Sequence, residues 1–113
     1  MQHQTVARTL KSAEEWDEAL RKSSKPVVLE FRVTWCPYCQ QASSVYEALA
    51  AKYRRDAEFY VIDGADAPQL FDTNRIETVP TFHLYGSNKK LKKVVVSCNK
   101  KDIEDSIRKW LLA

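Results

Sequence analysis

The spacing of hydrophobic positions changes several times along the chain, and each change marks a new element. Val27-Val28-Leu29-Glu30-Phe31-Arg32-Val33 is a β-branched, apolar run interrupted by only two charges, which predicts a buried strand. Gln40 to Tyr53 carries Ala42, Val45, Leu49 and Tyr53 on one helical face. Glu58-Phe59-Tyr60-Val61-Ile62-Asp63 returns to a strand pattern, and Val79-Pro80-Thr81-Phe82-His83-Leu84-Tyr85 is a strand opening with a proline. Gly86-Ser87-Asn88 supplies a turn, after which Leu91 to Ser97 comes back as a further strand.

The remaining elements are read from their ends. Thr9-Leu10-Lys11 is a short edge strand. Ser12 with Glu15 three residues later has the form of a capping box and opens a helix to about Lys22. Ser23-Ser24-Lys25-Pro26 turns into the first long strand. Asp66 to Thr73, with Pro68 in its first turn, predicts a short helix. Asn99 caps a last helix in which Ile103, Ile107, Trp110 and Leu111 recur at helical spacing; Trp16 and Trp110 both fall at core positions. The resulting order is βαβαβαββα. Strands separated by helices pair in parallel, whereas the short turn at Gly86 demands an antiparallel hairpin. The expected fold class is α/β, a mixed central β-sheet flanked by helices on both faces, in one domain spanning 1–113.

Composition narrows the function. With 113 residues, 44% hydrophobic and 29% charged, the chain has the make-up of a globular domain with a real core. Two glycines leave no phosphate-cradling loop, and a net charge of +3 is too mild to imply nucleic acid. Three cysteines are too few, and odd in number, for a disulfide-stapled scaffold. The opening Met1–Arg8 has no apolar signal-peptide core, and no run approaches membrane-spanning length. A cytoplasmic setting is expected, or an organellar or lumenal one where a targeting segment has been removed. Lys89, Lys90, Lys92 and Lys93 form the densest charge run; on an edge strand they guard against edge-to-edge pairing, or else meet an acidic partner.

Chemistry concentrates in Trp35-Cys36-Pro37-Tyr38-Cys39, where a strand feeds a helix. Free N–H groups and the positive end of the helix dipole favour a thiolate there. A thiolate attacks disulfides, and a second cysteine three positions on displaces the mixed disulfide that results. The chain reads first as a dithiol–disulfide exchanger. A structural pair or half of a zinc site is the bland alternative, for which Cys98, His3 and His83 are the remaining ligands. No Ser/His/Asp set, paired catalytic carboxylates or nucleotide fingerprint is present.

With Trp35-Cys36-Pro37-Tyr38-Cys39 at the first βα junction and Val79-Pro80-Thr81 opening a later strand, the chain resembles the thioredoxin superfamily over nearly its whole length. The resemblance implies that Cys36 is the exposed attacking cysteine, Cys39 the more buried resolving one, and Trp35 the indole sheltering the site. Pro80 matches the family's cis-proline; with Val79, Pro37 and Tyr38 it lies where a substrate chain binds. Glu30 matches a buried acid, which implies a raised pKa and a role in relaying the proton of the resolving cysteine. No cofactor or metal is implied. The implied partners are disulfide-containing protein substrates and a recycling reductase or glutathione, with no nucleic acid or membrane, and the implied state is a monomer.

Several positions depart from the pattern. Cys-Pro-Tyr-Cys is the form associated with glutaredoxins, but their γ-glutamyl-binding segment has no counterpart between Ser97 and Asp102, and Val33 stands where they often carry a basic residue, with Arg32 adjacent. The lysine that thioredoxins often place near the buried acid falls at Val61, so Glu30 is expected to ionise less readily; the glycine near the end of the last strand falls at Val96 or Ser97. A redox potential between about −270 and about −200 mV is expected. A glutathione-dependent thiol transferase, and an iron–sulfur or redox-regulated binding module, stay open as alternatives. Cys98 is expected to be an inert, partly buried thiol, with oxidation or intermolecular pairing as its alternative.

Overall fold

The central strand β2 (Val27–Arg32) organises the molecule, because Val27 to Phe31 are all buried. The computed structural model describes residues 6–112; the first five residues, with His3 among them, and Ala113 lie outside. Around β2 stand β1 (Arg8–Leu10), β3 (Glu58–Asp63), β4 (Thr81–Tyr85) and β5 (Leu91–Val95). The sheet order is β1-β3-β2-β4-β5. β3 is parallel to β1 and β2, while β4 is antiparallel to both β2 and β5. Helices α1 (Ala13–Lys22), α2 (Pro37–Lys52), α3 (Pro68–Thr73) and α4 (Lys100–Ile107) connect and close the strands. The α/β class and mixed sheet match the reading from the sequence.

Alternation along β2 divides the core into two layers. Val28 packs with Ala42, Tyr46 and Leu49 of α2 and with Ile103 and Ile107 of α4. Val27, Leu29 and Phe31 face the other way, toward Trp16 of α1 and Leu70 of α3. Glu30, two positions from Val28, therefore points into the α2 layer. Tyr46 anchors that layer: its ring lies 5.3 Å from Phe82, and its hydroxyl is 2.8 Å from the Tyr60 carbonyl and 3.0 Å from that of Val28. Burying one such ring stabilises the fold by about 1.5–3 kcal/mol.

The capping box at α1 takes a slightly shifted form. Ser12 Oγ accepts the Glu15 N–H at 3.1 Å, and Glu15 Oε1 accepts the N–H of Lys11 at 3.1 Å. Replacing Ser12 by alanine leaves the Glu15 N–H without this partner, and urea unfolding should register a loss of about 1 kcal/mol.

Several boundaries differ from expectation. β1 begins one residue early, and β4 begins after Pro80, whose ring nitrogen has no proton to give the ladder. At the C-terminal end α4 passes into a π-helical turn (Arg108–Leu112). The wider turn takes Trp110 off the Ile103–Ile107 stripe, leaving it 41% exposed instead of in the core. Trp16 is buried as expected. Lys92 and Lys93 lie on β5, the outer edge of the sheet.

Candidate active site

The two cysteines meet at the start of α2. Cys36 is the N-cap, with extended backbone at φ −88° and ψ 119°, and Pro37 follows at the first helical position, where no N–H is needed. Cys36 Sγ occupies the place a serine or aspartate oxygen usually takes and accepts the Cys39 N–H at 3.1 Å. It lies 3.9 Å from the Val79 carbonyl oxygen, and the Val79–Pro80 peptide bond is cis. The loop before β4 thus reaches over the dithiol. The helix extends to Pro37, three residues before the expected Gln40, so both cysteines belong to its first turn.

Burial corrects two expectations. Cys36 is only 6% exposed, little more than Cys39 at 2%, because its sulfur folds back onto the helix start and under Val79. Trp35 does not shelter the dithiol by packing: it sits in the tight turn before the cap, 77% exposed, and Tyr38 is 64% exposed. Two aromatic rings therefore flank the cysteines and face solvent.

Behind the dithiol the electrostatics are those of a closed interior. Burial, followed by the hydrogen bond to Cys36, pushes the Cys39 thiol up to about 12; the Glu30 charge adds in the same direction. Burial likewise raises Glu30 to about 7, with the Arg32 guanidinium pulling the other way. In β3 the residue in register with Glu30 is Val61, as expected, so that strand brings no cation. A cation reaches Glu30 from its own strand instead. Arg32, on the same face of β2, places Nη1 4.0 Å from Glu30 Oε1. Strand alternation was the available signal, since residues two apart share a face.

The other polar candidates lie elsewhere. His83 is buried on the α1–α3 side of β4, edge-on to Phe31 at 4.9 Å, and burial lowers its pKa. Cys98 is half-buried against the α2 layer. Among the described residues no three His, Cys, Asp or Glu side chains form a metal-binding group. No described helix is long and apolar enough to cross a membrane.

Comparison with known proteins agrees with this geometry. The thioredoxin family model matches residues 7–109. The chain is 31% identical to thioredoxin of Geodia cydonium over 101 residues, covering 88% of this chain and 94% of that one. It is 35% identical to thioredoxin-2 of Saccharomyces cerevisiae over 86 residues, 76% of this chain and 82% of the relative. In structure it is similar to reduced Schistosoma mansoni thioredoxin, with a TM-score of 0.85 at 27% identity over 93% of this chain and 98% of the other. A Nicotiana alata thioredoxin matches with a TM-score of 0.87 at 25% identity, over 98% and 97% of the two chains. A dithiol at a helix start, on this sheet and with these relatives, means that the chain belongs to the thioredoxin family and is a thiol–disulfide oxidoreductase.

Proposed function

We propose that Cys36 is the attacking and Cys39 the resolving thiol of a protein-disulfide reductase, acting as a monomeric single domain in the cytoplasm. The observation that carries this reading is the placing of Cys36 Sγ, held by the Cys39 N–H at 3.1 Å and set 3.9 Å from the Val79 carbonyl. A donor aimed at the sulfur stabilises negative charge on it, as does the helix N-terminus. The three free cysteines fit a reducing compartment.

The Cys36 thiolate attacks one sulfur of a substrate disulfide. That S–S bond breaks, and the departing substrate sulfur takes up a proton. A mixed disulfide now joins Cys36 to the substrate. Cys39 holds its proton tightly, so the second displacement needs a base. Glu30, raised only to about 7, is partly ionised at neutral pH and accepts that proton. Cys39 sulfur then attacks Cys36 sulfur, and the second substrate sulfur leaves. Two electrons have passed to the substrate, leaving a Cys36–Cys39 disulfide.

Substrate contacts are assigned to Trp35, Pro37, Tyr38, Val79 and Pro80. The exposed rings of Trp35 and Tyr38 offer apolar area beside the dithiol, and Val79 and Pro80 bring backbone to it. An external reductant restores the dithiol. A thioredoxin reductase is the expected one; the Cys-Pro-Tyr-Cys form favours glutathione as the second reading. Insulin-disulfide reduction decides between them. Turnover driven by NADPH and thioredoxin reductase should exceed turnover driven by glutathione and its reductase by about tenfold or more, a difference of about 1.4 kcal/mol in the barrier. The reverse ranking would establish the transferase.

A further inference from the structure

Arg32 and Ser43 have no part in the cycle just described, yet they adjoin its least accessible group. Arg32 Nη1 donates to Ser43 Oγ at 3.2 Å while standing 4.0 Å from Glu30 Oε1. Both Glu30 carboxylate oxygens and Arg32 Nε are buried with no hydrogen-bond partner among the described residues. Glu30 is fully enclosed, whereas the Arg32 side chain is 27% exposed and lines a cavity of about 150 Å³ together with Cys39, Gln40 and Ser43. That volume is several times the roughly 30 Å³ share of one water. The guanidinium thus reaches a hydratable space on one side, which keeps it charged, and meets the buried acid on the other.

The groups facing Glu30 show how much depends on this contact. In register beside it stand Val61 on β3 and Phe82 on β4, both uncharged. From α2 come Cys39, Tyr46 and Glu47. Burial and the Glu47 charge disfavour a negative Glu30, while the Cys39 thiol and the Tyr46 phenol are held neutral and offer it no compensating charge. Arg32 is the one cation in this set among the described residues.

We propose that Arg32, steadied by Ser43, is the positioning residue that sets the pH at which Glu30 ionises and so the pH at which Cys39 can give up its proton. The proposal rests on the reading of Glu30 as proton acceptor. In the resolving step the Cys39 proton moves to the Glu30 carboxylate, the Cys39–Cys36 bond forms, and the Cys36–substrate bond breaks. Arg32 takes no proton; it holds the acceptor in its charged form. Its removal leaves Glu30 protonated at neutral pH, and the step slows there while its rate at higher pH is retained.

Two measurements on the intact protein test this. Carbon-13 NMR follows the Glu30 carboxyl against pH in the reduced protein. Stopped-flow absorbance follows release of thionitrobenzoate from its mixed disulfide with Cys36, carried in a Cys98→Ser background. In Arg32→Met the Glu30 midpoint should rise by about one pH unit or more, and release at pH 7 should fall about fivefold. Arg32→Lys should restore most of both. Loss of packing alone would lower Tm and leave the midpoints in place. If the methionine variant does not fold, Arg32→Gln keeps a polar side chain at the cavity and gives the same reading. A Glu30 midpoint within about 0.3 pH unit of the wild type in a folded, uncharged variant overturns the proposal. If the midpoint moves but Glu30→Gln leaves the pH profile of release unaltered, Glu30 is not the acceptor, and only the control of its ionisation by Arg32 stands.

Discussion

Replacing Cys36 by serine should abolish disulfide reduction, by on the order of a thousandfold or more, without unfolding the protein. The two halves of this expectation have one physical origin. Cys36 is at once the nucleophile and the N-cap of α2, its sulfur accepting the Cys39 N–H at 3.1 Å. A serine hydroxyl caps a helix at least as well as a thiol, so helix and fold survive. It does not ionise near neutral pH, so the nucleophile is lost. Replacing Cys39 by serine should behave differently. Attack through Cys36 continues, but the mixed disulfide has no internal thiol to resolve it and accumulates. Mass spectrometry after incubation with a disulfide-bearing protein should find one substrate chain per molecule, joined at Cys36, in a Cys98→Ser background. Measurable turnover by Cys36→Ser, or attachment at any other residue, would remove Cys36 from the mechanism.

How much of this was visible in the sequence differs from element to element for physical reasons. β2, β3 and β4 were legible because their residues are buried on both faces, and such strands appear as unbroken apolar runs. The start of α2 was placed three residues late. Apolar periodicity begins only after Cys39, whereas Pro37 is helical for a reason periodicity does not carry: its missing N–H costs nothing in the first turn. Trp110 was misplaced because a single period was carried through a turn that widens. The cysteine spacing located the dithiol; its burial depends on Val79, 43 residues away, and such a contact leaves no mark in local spacing. Arg32 is the most instructive omission. Strand alternation placed it on the same face as Glu30, yet charges at a strand end usually turn outward to water. Only the cavity beside Cys39 and the hydroxyl of Ser43 make an inward guanidinium affordable.

Replacing Glu30 by glutamine should make the protein more stable above neutral pH, by about 3 kcal/mol at pH 8, while slowing the step that closes the Cys36–Cys39 disulfide. The carboxyl has an ordinary value of 4.5 and is raised to about 7 in the folded protein, chiefly by burial. Between those two values the folded state keeps a proton that the unfolded chain has already released. Its stability therefore falls as pH rises through this window, by about 1.4 kcal/mol per pH unit, and the loss is complete above the folded value. Glutamine has no such proton, so the variant and the wild type should differ little below about pH 4 and diverge up to about pH 8. His83 acts in the opposite direction in part of this range. Burial lowers its pKa, and acid below its usual value favours unfolding. That contribution is common to both proteins and cancels in their difference, as does the Cys39 thiol, which is neutral on both sides of the comparison at these pH values. Urea unfolding of the reduced proteins at pH 4, 6 and 8 measures the divergence directly. Parallel stability curves would mean that Glu30 is ionised as easily in the fold as in water, and the buried acid would lose its place in proton transfer. A widening gap, together with slower resolution at neutral pH, would show that a carboxyl costly to the fold is retained because the buried Cys39 thiol needs a base in the interior.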